Sequence, residues 1–389
     1  MNIAVDAREL SGRPTGVGTF LAHLLEEWAR MPDAREHAWT LYRAVGGSPT
    51  AAHGGAGGSV RPEPVEGQTS PEAGRINGAG ADLVQWRELP GNGGTWWEQG
   101  AFAAAIRRAD PDVLFAPGYT APLAIRTPVA LVVHDVSFFA RPGWFSIREG
   151  LRRRAITRWA ARRARAVVTV SDFSKREIVG RLGIPADRVT VVRHGISRPV
   201  SLPALDPRPP TVLFVGSIFN RRHLPDLVRA FALLSGDIPH ARLEIVGDNR
   251  THPFEDPAAL ARDLGVADRV NLRSYVSGPE LASLYAHARA FAFLSEYEGF
   301  GLTPLEALAH LVPVVVLDTP VAREVYDDAA VYVQTGDIAA TAAALKRLLL
   351  DPGARDERLR AAARVLARYC WPDAARRVLD VILEAGGRG

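Results

Sequence analysis

Ser295-Glu-Tyr-Glu-Gly-Phe-Gly-Leu-Thr-Pro-Leu-Glu306, continued by Ala307-Leu-Ala-His-Leu-Val-Pro-Val-Val-Val316, decides how this chain is read. The apolar run Ala290-Phe-Ala-Phe-Leu294 before it predicts a buried strand, and the residues after Gly301 predict a helix. Strand, polar glycine loop, helix start is the order in which open α/β sheets hold anionic ligands. Two carboxylates, Glu298 and Glu306, flank the turn. Thr303-Pro-Leu-Glu306 has the form of a capping box with proline at the first helical position, so Glu306 has a purely structural reading as a cap. Capping gives no account of Glu298. Gly299 and Gly301 let the backbone approach a ligand closely, and amides at Gly301, Leu302 and Thr303 would face a phosphate. A carboxylate beside a diphosphate is unfavourable unless it accepts hydrogen bonds from hydroxyls, which a sugar supplies.

Working outward, strands alternate with helices along most of the 389 residues. Strands are predicted at 2–6, 37–43, 112–116, 128–133, 166–170 and 188–192, with order returning at 83–86 and helices at 17–30, near 95–108, at 147–164 and at 172–182. A second series starts with strand 211–215 and helix 223–235. Strands follow at 242–246, near 269–272, 290–294, 313–317 and 330–333, and helical pattern fills 336–386. The alternation predicts parallel sheets in an α/β fold. Residues 44–82 carry Gly-Gly-Ser and Pro-Glu-Pro with almost no large apolar residues, and read as a flexible insertion. Residues 197–210 hold five prolines and read as a stiff linker between two domains of similar size.

Further candidates stand at strand ends. Gly216-Ser217-Ile-Phe-Asn-Arg221-Arg222-His223 puts two cations at a strand-to-helix turn, which suits a diphosphate; the plain alternative is two solvated arginines. Val132-Val-His134-Asp135 ends an apolar strand of the first half, where a lone histidine gains functional weight from its position. Gly16-Val17-Gly18 reads as part of a glycine loop after the first strand. It is not a dinucleotide fingerprint, because Leu21 stands where a third glycine would be. Gly247-Asp248 ends another strand, and Tyr275-Val276 follows a later one. Trp96-Trp97 reads equally as core or as a sugar-stacking pair. Arginines at 148, 152, 153, 154, 158, 162, 163 and 165 crowd one helix whose apolar side is Leu151, Ala155, Ile156 and Trp159. It reads either as a solvated face or as a patch for anionic lipid.

Ser-x-Tyr-Glu298-Gly-Phe-Gly-Leu-x-x-Leu-Glu306-Ala resembles the signature of family-4 retaining glycosyltransferases of the GT-B fold. The resemblance extends over most of residues 1–386, the 44–82 insertion excepted. It implies two Rossmann-like domains facing a central cleft: an acceptor domain over 1–196, a nucleotide-sugar donor domain over 211–370, and a helix in 371–389 returning to the first domain. It also implies roles. Glu298 would contact hydroxyls of the donor sugar, and Glu306 the ribose diol. Backbone of Gly299, Phe300, Gly301, Leu302 and Thr303 would hold the sugar and diphosphate. Arg221 and Arg222 would neutralise the leaving phosphate beside Gly216 and Ser217. His134 would lie next to the reacting carbon, Gly16–Gly18 would cap the donor pocket, and Gly247, Asp248, Tyr275 and Val276 would line its nucleotide end. Where the family has Arg-Lys-Asn, this chain has Arg221-Arg222-His223, a planar fork in place of a point charge.

The implied activity is retaining transfer of a hexose or deoxyhexose, with GDP-mannose the favoured donor, to an acceptor hydroxyl in cell-surface polysaccharide or glycolipid synthesis. No cofactor is implied, and arginine takes the part a metal plays elsewhere. Other classes stay open. A non-catalytic nucleotide-sugar binder would bind without turnover, and an epimerase would share the fold. A pyridoxal-phosphate phosphorylase needs a Schiff-base lysine, and the two lysines, Lys175 and Lys346, sit in basic helices.

Composition excludes more than it assigns. A single cysteine, Cys370, rules out an intramolecular disulfide and fits a reducing compartment. The net charge of +4 comes almost wholly from 45 arginines, mostly a compositional habit. Met1-Asn-Ile-Ala-Val-Asp6 enters a strand directly, so no signal peptide is read, and no apolar run is long enough to cross a membrane. These features place the protein in the cytoplasm, with peripheral membrane contact through Arg148–Arg165 the added expectation. No nucleic-acid motif accompanies the basic charge.

Overall fold

A computed structural model of the chain describes residues 1–11, 16–46, 84–199 and 208–387. The expected insertion lies outside the described residues but for 44–46, and so does most of the expected linker. The chain forms two compact units. One comprises Met1–Ala140, Ser146–His194 and Trp371–Gly389; the other comprises Arg141–Phe145 and Gly195–Cys370.

The first unit is built on β1 (Asn2–Asp6), β2 (Ala38–Gly46), β3 (Val84–Gly91), β4 (Val113–Ala116), β5 (Val129–Val132), β6 (Ala166–Thr169) and β7 (Val189–Val191). The order is β3-β2-β1-β4-β5-β6-β7, every pair parallel, with Val5 level with Leu41 and Phe115. The inner strands are apolar along their length because helices cover both faces. On one face, helix Gly16–Arg30 and helix Trp371–Gly386 pack Phe20, Leu24, Trp28, Val378 and Ile382 against Ile3, Val5 and Phe115. The Trp28 indole donates to the carbonyl of Ala375 (2.9 Å) and stacks on Trp39 (4.7 Å). The other face buries Phe102, Ile106, Ile178 and Leu182.

One reading of this unit changes. Gly16-Val17-Gly18 is the first turn of helix Gly16–Arg30 and not a loop; Gly18 is buried there. Helix Ile147–Arg163 buries Gly150, Thr157, Ala160 and Ala161, and leaves Leu151, Ala155 and Trp159 exposed. The inward face is thus made of small residues, and the large apolar side chains Leu151 and Trp159 point away.

The second unit repeats the winding. Its strands are β8 (Thr211–Val215), β9 (Arg242–Val246), β10 (Val270–Arg273), β11 (Ala290–Phe293), β12 (Val314–Leu317) and β13 (Ala330–Val333). Their order is β10-β9-β8-β11-β12-β13, again all parallel. The order reverses between β8 and β11, and in such sheets the crevice beyond the strand C-termini at that reversal holds the ligand.

Arg208 braces this crevice from behind. It is buried, and its guanidinium donates to the carbonyls of Ala288 (3.1 Å), His310 (3.0 Å) and Leu311 (3.2 Å). His310 and Leu311 close helix Leu302–Ala309, so Arg208 satisfies carbonyls that a helix end leaves open. Replacing Arg208 by Ala strands these acceptors and is expected to destabilise the second unit by about 3 kcal/mol or more. Denaturant unfolding of the variant checks this.

Candidate active site

The loops after β8 and β11 meet because those strands are neighbours, with Val212 level with Ala290 and Leu213 with Phe291. The Glu296 amide donates to the Arg221 carbonyl (2.9 Å). Arg222 Nε donates to Glu298 Oε1 (3.0 Å), which also accepts from Ser295 Oγ (2.8 Å), and Arg222 Nη1 donates to the Ser217 carbonyl (2.7 Å). Phe293 lies under the guanidinium at 4.8 Å. Burial pulls the Arg222 pKa down from its ordinary value, and Glu298 pulls the other way. Arg222 therefore fixes Glu298 first, and only its remaining N–H groups are available to an anion. Its neighbour Arg221 lies over Phe219 (4.2 Å) and near Trp144 (6.0 Å).

The predicted capping box is absent. The N-cap of helix Leu302–Ala309 is Gly301, in the left-handed region at φ 88°, so the helix begins one turn position before Thr303 can cap it. A Cβ at Gly301 would strike the Tyr326 hydroxyl, which donates to the Gly301 carbonyl (2.9 Å). Any other residue there meets both the strained φ and this close approach. Freed from capping, Thr303 Oγ1 is buried without a hydrogen-bond partner among the described residues, and so is Arg221 Nε. A buried polar atom left unpaired costs about 1–3 kcal/mol, so each of these two has hydrogen-bonding capacity to offer.

Glu306 likewise caps nothing. Its Oε2 accepts from the Tyr285 hydroxyl (3.0 Å), while Tyr285 stacks on His310 (4.8 Å). Burial raises the Glu306 pKa, against the Tyr285 bond and His310, which lower it. Because the folded value lies above the unfolded one, ionised Glu306 costs stability at neutral pH, and the cost is relieved as pH falls through the raised pKa. A ligand that needs the carboxylate is held above that pKa and lost below it. Replacing Tyr285 by Phe removes a lowering influence. Nucleotide affinity in this variant is expected to fail at a higher pH than in the wild type, as calorimetry across pH would show.

The remaining candidates are dispersed over several loops. Gly216 and Gly247 end β8 and β9 in close approach: a Cβ on Gly247 would collide with the Gly216 carbonyl. The Asp248 carbonyl accepts from the Ile218 amide, and its side chain pairs with Arg250 (3.4 Å). Tyr275 is exposed and Val276 buried, beyond β10. Gly299 and Phe300 are buried, and the Phe300 ring packs edge-on to Tyr369 (5.2 Å).

In the first unit, His134 lies two residues beyond β5, buried between Phe20 (5.4 Å) and His194 (5.6 Å). Its Nε2 is 2.9 Å from the Pro117 carbonyl, which can only accept, so Nε2 carries the proton. Burial lowers its pKa, against the Pro117 bond and Asp135, which raise it. The imidazole is thus held neutral and oriented by the Pro117 carbonyl through Nε2. Asp135 is occupied too, accepting from Tyr119 (2.8 Å) and the Ser137 amide (2.8 Å). Trp96 and Trp97 divide: Trp97 is core, stacked on Phe102 (4.9 Å), and Trp96 is exposed.

Sequence reasoning missed Tyr285, Tyr326 and the bridge from His223 to Glu296. His223 holds φ 44° and its Nε2 lies 3.0 Å from Glu296 Oε2, tying the two loops a third time. Its place as the third residue of Arg-Arg-His was visible, but its partner 73 residues on was not.

Profiles of two glycosyltransferase domains match the chain, Glycosyltransferase Family 4 over residues 14–198 and Glycosyl transferases group 1 over residues 203–365. The chain belongs to this glycosyltransferase family. Among similar proteins, O-antigen chain mannosyltransferase B of Escherichia coli is 27% identical over 72% of this chain and 76% of its own length. The glycogen synthase of Mycobacterium tuberculosis H37Rv is 28% identical over 66% of this chain and 63% of its own, and a D-inositol 3-phosphate glycosyltransferase of Thermobispora bispora is 32% identical over 54% of each. The match thus spans under two thirds of the length of most of these relatives. In fold, this glycosyltransferase resembles Anabaena HepE, solved with UDP and glucose, at TM-score 0.70 and 17% identity over 99% of this chain and all of that one. The sucrose-phosphate synthase of Thermosynechococcus elongatus gives 0.72 and 17% over 99% and 98%. The enzyme is a glycosyltransferase of GT-B fold with two Rossmann-like units.

Proposed function

We propose that this enzyme transfers a hexose or deoxyhexose from a nucleoside-diphosphate sugar to an acceptor hydroxyl with retention of configuration, in cell-surface polysaccharide or glycolipid synthesis. The observation that carries it is the second-unit crevice. There, a carboxylate held by a half-buried arginine, Glu298 on Arg222, stands in the loop leading to a glycine-started helix, and Arg221 Nε and Thr303 Oγ1 are buried unpaired. In this reading, Arg221, the free arm of Arg222 and the amides at Leu302 and Thr303 take the diphosphate. They stabilise the charge that develops as the nucleotide leaves, without a metal or cofactor. Glu298 accepts from sugar hydroxyls, Glu306 from the ribose through the oxygen that Tyr285 leaves open, and Tyr275 with Val276 borders the base. His134, neutral and a hydrogen-bond donor through Nε2, serves polarity and position.

Mannose is the favoured sugar, supported by the similarity to O-antigen mannosyltransferases of Escherichia coli and Salmonella typhimurium. A glucosyl donor on UDP is the second reading, since HepE of like fold was solved with UDP-glucose. Among the described residues no helix is long and apolar enough to cross a membrane. We place the work at the inner membrane face, with the arginines of Ile147–Arg163 toward anionic lipid. A thermal-shift screen across GDP-, UDP-, dTDP- and ADP-sugars, followed by NMR of the product's anomeric proton, tests the donor and the stereochemistry. Donor binding without hydrolysis or transfer to any acceptor would replace this reading with that of a sensor.

A further inference from the structure

Helix Ile147–Arg163 carries its apolar side outward. Ile147 (82% exposed), Leu151 (57%) and Trp159 (63%) recur with Ala155 every fourth residue, forming one row along the helix. Side chains four apart on a helix lie one above another, so the row is continuous for about three turns. A second exposed aromatic stands next to a residue bonded to this helix. Trp96 is 91% exposed, and the side chain of its neighbour Thr95 accepts from Arg152 on this helix. An exposed row of isoleucine, leucine and tryptophan, with a further exposed tryptophan one residue from a side chain bonded to the same helix, is unusual on a soluble surface without a partner.

The charge beside the row says what the partner is. The helix carries seven arginines and one glutamate, Glu149. Several of these arginines are anchored: Arg158 and Arg162 donate to the carbonyls of Arg181 and Leu182, which end the neighbouring helix, and Arg152 and Arg153 pair with Glu149. Anchoring holds the guanidinium groups beside the row, and seven arginines against one glutamate leave the helix strongly positive. A second copy of this face would meet like charge, whereas an anionic lipid surface is complementary to it. Tryptophan and long arginine stems suit the boundary between headgroups and acyl chains.

We propose that Ile147, Leu151 and Trp159, with Trp96, insert into the interface of an anionic bilayer, so that attachment is apolar as well as electrostatic. This deepens the membrane contact placed on the arginines above and rests on it. Flotation with vesicles of phosphatidylcholine alone, and with phosphatidylglycerol added, tests it on the full chain. The wild type is expected to bind the phosphatidylglycerol vesicles and to keep a substantial part of that binding at raised salt. The double variant Leu151→Ser, Trp159→Ser is expected to lose about tenfold or more of the affinity, most visibly at raised salt, with nucleotide binding unchanged as evidence of folding. Brominated lipid should quench wild-type tryptophan fluorescence, and less so in Trp96→Phe and Trp159→Phe. Binding unaltered in the double variant but lost in Arg148→Glu, Arg152→Glu would overturn insertion and leave the electrostatic contact standing. Absence of wild-type binding to either vesicle would overturn both. Dimerisation of the wild type that the double variant abolishes would also overturn the proposal, making the row a protein interface.

Discussion

Glu298→Gln is expected to lower turnover by about 10²–10³-fold while nucleotide affinity stays within a few-fold of the wild type. Glutamine keeps the shape and an acceptor oxygen for Arg222 Nε and Ser295 Oγ, the two groups now bonded to Glu298 Oε1. What it removes is the negative charge, and with it the ability to hold sugar hydroxyls strongly while positive charge grows at the reacting carbon. A nucleotide lacking the sugar never meets that charge, so its binding is spared. Steady-state kinetics with the donor found by screening, beside calorimetry with the free nucleotide, separates the two effects. Wild-type turnover in this variant would remove Glu298 from the reaction altogether.

Arg222→Ala has the opposite signature. It deletes the bond to Glu298 and the one to the Ser217 carbonyl, leaving a carboxylate and a carbonyl to find other partners in a half-buried pocket. The expected result is loss of about a hundredfold in nucleotide affinity, because a charged hydrogen bond to phosphate and the alignment of the crevice both go. Arg222→Lys is the control. It restores the charge that the family usually places here but lacks the fork that reaches Glu298 and Ser217 together. Lysine should recover affinity more than turnover if the fork's main service is to aim Glu298. Unaltered nucleotide affinity in a folded Ala variant would sink the assignment of the diphosphate to this corner.

The fold was legible because parallel strands buried on both faces are continuous apolar runs, and because each run ends in glycine or a polar turn. The positions of Glu298, Arg221 and Arg222 follow from the same rule, since loops after neighbouring strands must converge. Three things were not legible. Thr303-Pro-Leu-Glu306 satisfies the local pattern of a cap, yet Gly301 adopts a left-handed turn supported by Tyr326, a residue 25 positions away. Glu306 owes its orientation to Tyr285, on another helix, and no local spacing records that. Helix Ile147–Arg163 fits both an inward and an outward apolar side, and the inward face went to Gly150, Thr157, Ala160 and Ala161.

One connection has a temporal meaning. Helix Trp371–Gly386 fills the first unit's core against Phe20, Trp28 and Phe115, yet it follows the whole of Gly195–Cys370 in the chain. During synthesis the first unit therefore waits, with that face uncovered, until the second has been made in full. At ribosomal speeds of about 5–20 residues per second the wait is roughly 10–35 s. Long before then its own strands could have paired. The second unit is the earlier to be complete, and the first stays open to chaperones or to wrong partners until the last helix arrives. Translation speed over residues 195–370 thus becomes a determinant of how much active enzyme a cell obtains.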